Sequence, residues 1–149
     1  MTNIYMAGRK VFLDTGAFIA LSFKKDRNHE PAVKILRDIV KKGIHQVTTN
    51  FIIAETYTFL RYNINYATAI SFLNIQKSAE SAGKLEVIYA TASIEINAAE
   101  LLQKYHDQDL SYTDAVSLAI LAQNNEIKDV FTFDGHFYLS GCNIIPAGG

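Results

Sequence analysis

LSYTDAVSLAILAQNNEIKDVFTFDGHF, from Leu110 to Phe137, holds both halves of the fold's repeating unit in one stretch. Ser111-Tyr112-Thr113-Asp114 has the form of a capping box ahead of an apolar run, so a helix starts at Ser111 and ends near Gln123. Asp129 to Phe133 then reads as a strand of the continuous apolar sort that parallel sheets bury on both faces. A helix feeding such a strand is one step of a crossover chain.

The same alternation extends in both directions. Val11-Phe12-Leu13 is a short buried strand, followed by a helical pattern from Ala17 to Phe23. Pro31 suits the first turn of a second helix, whose apolar stripe is Val33, Leu36 and Val40 and which Gly43 ends. Gln46-Val47-Thr48 is a strand. Asn50 can cap a helix running to about Tyr62, and Asn65 another running to Gly83. Leu85, Val87 and Tyr89 alternate as in a strand, Ser93 starts a further helix, and Asn143 to Ile145 is a short last strand. Strands alternating with helices imply a mostly parallel sheet covered on both faces, an α/β architecture. In such sheets the functional crevice lies beyond the carboxyl ends of the strands.

The 149 residues fit one domain, expected to span 1–149, with no repeat, low-complexity segment or linker. A hydrophobic share of 49% supplies a core, and a charged share of 19% argues against disorder. The single cysteine, Cys142, cannot form an internal disulfide. No apolar run approaches the roughly 18 residues of a membrane span, and MTNIYMAGRK lacks the apolar core of a secretory signal. The expectation is a cytoplasmic protein with no membrane contact. A net charge of −1 excludes binding nucleic acid through a broad basic surface; any RNA must be held by local contacts and metal ions.

Four acids stand out. Asp14 follows Val11-Phe12-Leu13, and Asp134 follows Val130-Phe131-Thr132-Phe133, so both fall at carboxyl ends of strands. Each alone reads as a turn or cap residue, since aspartate is common after strands; two at one end of one sheet are less ordinary. Glu55 shares a helical face with Phe51, Ile52, Phe59 and Tyr62, which calls for a cation, a partner or a raised pKa, unless the helix is turned so that Glu55 reaches water. Asp114 completes the capping box, and a carboxylate in a first helical turn also points beyond the helix end. Four carboxylates brought together cannot all ionise without a cation among them. Oxygen ligands suit Mg²⁺ or Mn²⁺, and such ions support phosphodiester hydrolysis without a protein nucleophile. The four histidines, His29, His45, His106 and His136, show no zinc-type spacing.

Four motifs in order, VFLDTGAFIAL (11–21), the Glu55 helix, LSYTDA (110–115) and VFTFDGHF (130–137), resemble the PIN domain, and within it the VapC-type toxins. The resemblance implies a three-layer α/β/α sandwich with a mostly parallel sheet of about five strands. It also implies endoribonuclease activity at a carboxylate site holding Mg²⁺ or Mn²⁺. By position, Asp14, Asp114 and Asp134 would be the metal ligands. Glu55 would coordinate through water or place the attacking water. Thr15, Ser111, Thr113 and Thr132 would support or cap, and Asp107 and Asp109 could substitute for or support Asp114. The resemblance further implies an RNA substrate, a protein antitoxin that blocks the site, and a homodimer.

Lys24, Lys25 and Arg27, and Lys34, Arg37 and Lys41 at helical spacing, read either as solvated faces or as a phosphate track. Tyr57, Tyr62, Tyr66 and Tyr112 could stack on bases but fit core or dimer contacts as well. The competing functions are a non-catalytic PIN-fold RNA- or protein-binding module and a housekeeping RNA-processing nuclease. A phosphotransfer enzyme is disfavoured, because the first strand ends in Asp14-Thr15-Gly16 without a second acid.

Overall fold

Val11, Phe12 and Leu13 are almost completely buried, as a central strand of a sheet covered on both faces must be. They belong to β1 (Lys10–Leu13) in a computed structural model that describes residues 8–147. The first seven residues of the N-terminal stretch read above, and the two ends of the expected 1–149 domain, lie outside the described residues.

The chain continues through α1 (Thr15–Ser22), α2 (His29–Lys41), β2 (His45–Thr49), α3 (Asn50–Asn63), α4 (Tyr66–Ser81), β3 (Leu85–Ile88), α5 (Ala92–Lys104), α6 (Tyr112–Gln123) and β4 (Ile127–Phe131). A short 3-10 helix (Gly135–Ser140) and β5 (Asn143–Ile145) complete it. The five strands pair in parallel in the order β3-β2-β1-β4-β5, and Phe12 lies in register between Val47 and Val130. The result is the expected α/β/α sandwich. From β1 the chain winds outward to β2 and β3, then returns to place β4 on the other side of β1. The winding therefore reverses between β1 and β4, and in open α/β sheets the crevice opens at such a reversal.

Local chemistry sets most boundaries where expected. The Asn65 side chain accepts the Thr68 N–H at 2.7 Å and starts α4, and Ser111 starts α6. Gly43 and Gly83 adopt positive φ just beyond α2 and α4, as helix ends favour. Two caps move by one or two residues. Thr49, not Asn50, caps α3 by accepting the Ile52 N–H, which frees the Asn50 amide oxygen to take the Ala90 N–H at 3.1 Å. Thr91, not Ser93, caps α5. β4 ends at Phe131 rather than Phe133, because the Thr132 hydroxyl turns the chain by accepting the Asp134 N–H.

Two helical faces differ from expectation. In α2 the residues facing inward are Ala32, Ile35 and Ile39. Val33, Leu36 and Val40 instead border an open apolar cavity of about 750 Å³ shared with Phe72 and Ile75 of α4. The helix rests on α1, where His29 Nδ1 meets the Ala20 carbonyl at 2.7 Å, so only one edge of its broad apolar face reaches the core. In α3 the buried stripe is Ile52, Thr56 and Leu60, while Phe59, Tyr62 and Glu55 face outward. Thr56 can line the core because its hydroxyl donates to the Ile52 carbonyl at 2.7 Å.

Asp129 is the charged residue most deeply set in β4. Arg9 Nε donates to its Oδ2 at 2.8 Å, and Asn143 Nδ2 donates to Oδ1 at 3.2 Å. Replacing Asp129 by Ala removes both of these hydrogen bonds. The expected result is a loss of about 2–3 kcal/mol of stability, read by urea unfolding. A change below about 0.5 kcal/mol would show that this network contributes little. Among the described residues, no helix is long and apolar enough to cross a membrane.

Candidate active site

Asp14 is the first residue past β1, and its backbone is fixed on both sides. Its N–H donates to the Phe131 carbonyl at 3.1 Å, and its carbonyl accepts the N–H groups of Ala17 and Phe18 as α1 begins. The side chain is only 4% exposed. The Thr132 hydroxyl donates to Asp14 Oδ2 at 2.8 Å and accepts the Asp134 N–H at 2.9 Å. One buried oxygen thus ties the carboxyl end of β1 to the loop after β4. Asp134 caps the 3-10 helix, its Oδ1 accepting the His136 N–H at 2.9 Å.

Asp114 reaches the same place from α6. The capping box is complete: Ser111 Oγ accepts the Asp114 N–H at 3.0 Å, and Asp114 Oδ2 accepts the Ser111 N–H at 3.1 Å. Capping and site therefore draw on the same residue, with Oδ2 used for the cap. Glu55 comes from the outward face of α3, beside an open cleft lined by Phe51, Thr58, Phe59 and Thr113. Its carboxylate is not buried, so the reading in which Glu55 reaches water is the correct one.

Asp14 and Asp114 both feel the negative charge of other acids here, whereas Asp14 and Glu55 stand outside the group of ligand atoms that lie within 4.8 Å of one another. Burial pushes the Asp14 carboxyl up to about 7, against the Thr132 hydrogen bond, and the negative charges of Asp114 and Asp134 add to the rise. Burial likewise raises Asp114, and Asp134 and Glu55 push it further in the same direction, opposed by the hydrogen bonds from Ser111. A site that crowds carboxylates at this energetic cost suits a hard divalent cation, whose charge would reverse the balance.

The structure also brings in a residue that spacing rules did not select. One ligand atom from each of Asp114, Asp134 and His136 lies within 4.8 Å of the others. Zinc-type spacing does not mark His136; its position two residues after Asp134, a capping Asp, is the sequence feature that does. Asp107 and Asp109 are exposed and stand outside this group. Thr15 Oγ1 is buried without a hydrogen-bond partner among the described residues. Lys24, Lys25 and Arg27 lie past the far end of α1, eight residues or about 12 Å of helix from Asp14.

The double hydrogen bond of Thr132 gives a prediction. Thr132→Val keeps shape and burial but removes the hydroxyl. The expected result is a loss of about 1–2 kcal/mol of stability and a roughly tenfold weaker divalent-ion affinity, measured by thermal unfolding and calorimetry. Unchanged affinity would mean that Asp14 and Asp134 are held in place by other contacts.

Strand-end acids at a sheet reversal stand where open α/β sheets bind their ligands. The PIN domain family model matches residues 11–139, and the chain belongs to the PIN domain family. It is 28% identical over 131 residues to the 23S rRNA-specific endonuclease VapC20 of Mycobacterium tuberculosis, in two strains, covering 88% of this chain and 94% of the relative. The crystal structure of VapC20, a Sarcin-Ricin loop cleaving toxin, matches with a TM-score of 0.78 and 26% identity over 89% of this chain and 96% of that one. FitAB bound to an IR36 DNA fragment shares the fold, with a TM-score of 0.60 and 16% identity over 90% of this chain and 92% of that one. So does FitAcB from Neisseria gonorrhoeae, with a TM-score of 0.56 and 17% identity over 90% of this chain and 95% of that one.

Proposed function

We propose that this chain is a metal-dependent endoribonuclease, the toxin of a toxin–antitoxin pair, acting in the cytoplasm as a single nuclease domain. The observation that carries this reading is that Asp114 and Asp134 bring ligand atoms within 4.8 Å of each other at the β1/β4 reversal of a PIN fold, with Asp14 and Glu55 close enough for charge to be felt. Asp14, Asp114 and Asp134 hold the ion, Mg²⁺ or Mn²⁺. When bound, the ion supplies the charge that polarises the phosphoryl oxygen and acidifies the attacking water. Thr132 keeps Asp14 aimed into the site, and the capping box keeps Asp114 there. Glu55, exposed at the edge of the cleft, orients the water.

The substrate is ribosomal RNA of the kind VapC20 cuts, a reading supported by the 28% identity over most of both chains. A protein antitoxin restrains the enzyme, and the functional unit is a homodimer. The likeness to a toxin supports the antitoxin, and the homodimer is what the family resemblance implies.

The test uses the purified chain with an oligonucleotide carrying the 23S sarcin-ricin stem-loop, a control with a scrambled loop, and Mg²⁺, Mn²⁺ or EDTA. Cleavage of the intact loop that EDTA abolishes is the expected result. Metal-dependent cleavage of both RNAs alike would keep the nuclease and overturn the substrate. If the chain neither binds a divalent ion nor cuts, a non-catalytic RNA- or protein-binding module replaces this reading.

A further inference from the structure

His136 and Asp134 stand side by side in a way that a hydrogen bond does not explain. The ring Nδ1 lies 2.9 Å from Asp134 Oδ1, yet Nδ1 is buried and has no hydrogen bond of acceptable alignment among the described residues. That same Oδ1 accepts the backbone N–H of His136 at 2.9 Å, so the turn after β4 locks ring and carboxylate next to each other. The pair and Asp114 together bring three ligand atoms within 4.8 Å. Adjacent corners of an octahedral shell with bonds of 2.0–2.1 Å are about 2.9 Å apart, and opposite corners about 4.2 Å. The His136 and Asp134 donor atoms, 2.9 Å apart, match one edge of such a shell, and Asp114 supplies a third ligand atom within 4.8 Å.

We propose that His136 is a nitrogen ligand of the divalent ion, and that it biases the site toward Mn²⁺ over Mg²⁺. This inference rests on the proposed metal site and adds to it a donor of a different kind. Mg²⁺ is hard, dehydrates reluctantly and takes oxygen ligands almost exclusively. First-row transition ions accept imidazole readily. A site of carboxylates alone would treat the two ions nearly alike. One imidazole in the shell separates them, because only the transition ion gains from exchanging a water oxygen for nitrogen. The 3-10 helix is the element that delivers this donor, since it turns His136 back over Asp134 directly after the cap.

The test is electron spin-echo modulation spectroscopy of Mn²⁺ bound to the full chain. It compares unlabelled protein, protein grown with ¹⁵N-histidine, and His136→Asn. The labelled wild type needs no substitution and so cannot fail by misfolding. The expected result is an imidazole ¹⁴N modulation that converts to ¹⁵N on labelling and disappears in His136→Asn. Calorimetry should show the Mn²⁺ Kd of that variant raised about tenfold, with the Mg²⁺ Kd moving less than about threefold. Mn²⁺ that binds, loses affinity in Asp114→Asn and yet shows no histidine nitrogen overturns the proposal and leaves the carboxylate site standing. Nitrogen modulation that persists in His136→Asn also overturns it, by assigning the donor to another residue. Mn²⁺ affinity indifferent to Asp114→Asn would remove the metal site itself, and this inference with it.

Discussion

Asp114→Asn is expected to cut RNA about 10³-fold more slowly than the wild type, with little change in fold. The asparagine carbonyl can still accept the Ser111 N–H, and its own N–H can still donate to Ser111, so the capping box of α6 survives. What disappears is one negative charge whose influence reaches Asp14 and which itself feels Asp134 and Glu55. Removing a preorganised group that stabilises charge in a transition state costs about 10²–10³ in rate, and a metal ligand belongs at the upper end. Asp107→Asn and Asp109→Asn are the controls, since both side chains are exposed and outside the cluster. They should stay within about twofold of wild type. Single-turnover cleavage of the stem-loop at saturating Mn²⁺ measures all three. An Asp114→Asn enzyme of wild-type rate would sink the assigned role.

Asp14→Asn should have the opposite effect on stability in the absence of metal. Burial raises the Asp14 carboxyl to about 7 in the folded chain, against about 4 when unfolded. Between those values the folded state holds a proton that the unfolded state has released. The stabilisation is therefore complete below about pH 4 and lost as pH rises through about 7. The difference corresponds to roughly 4 kcal/mol at most. Metal-free wild type should melt markedly lower at pH 8 than at pH 5. Asp14→Asn should show a much flatter profile and melt roughly 5–10 °C above wild type at pH 8. Adding Mn²⁺ at pH 8 should close that gap by stabilising the wild type alone. Scanning calorimetry at the two pH values with and without Mn²⁺ decides it. If both proteins follow the same pH dependence, the carboxylate is not paying for its burial.

The residues that were legible from sequence are those whose role is local. Ser111 and Asp114 form a capping box because the two side chains need only each other's backbone. Asn65, Gly43 and Gly83 mark helix ends for the same reason. The burial of Val11-Phe12-Leu13 and the parallel sheet followed from unbroken apolar runs. Features that depend on what packs against a helix were not legible. The Val33-Leu36-Val40 stripe looked like a core face, but α2 rests on α1 and leaves that stripe beside an open cavity. Glu55 lay among apolar neighbours in sequence, yet the rotation of α3 buries Ile52, Thr56 and Leu60 instead. The long-range bond from Thr132 to Asp14 joins residues 118 positions apart. No periodicity records such a contact, and only the ordered set of motifs pointed to it. His136 entered the cluster through a 3-10 turn that no apolar pattern announced.

The strand order has a consequence for how the chain is born. Synthesis proceeds from the N-terminus, so β1, β2 and β3 leave the ribosome first, with Asp14 at the end of an uncovered edge. The strand that covers this edge, β4, and the loop carrying Thr132 and Asp134 come only in the last quarter of the chain. β5 follows, and its Ile145 carbonyl receives the Thr132 N–H that settles that loop. A nascent chain that has reached only β3 therefore carries Asp14 without the strand and loop that hold it in place.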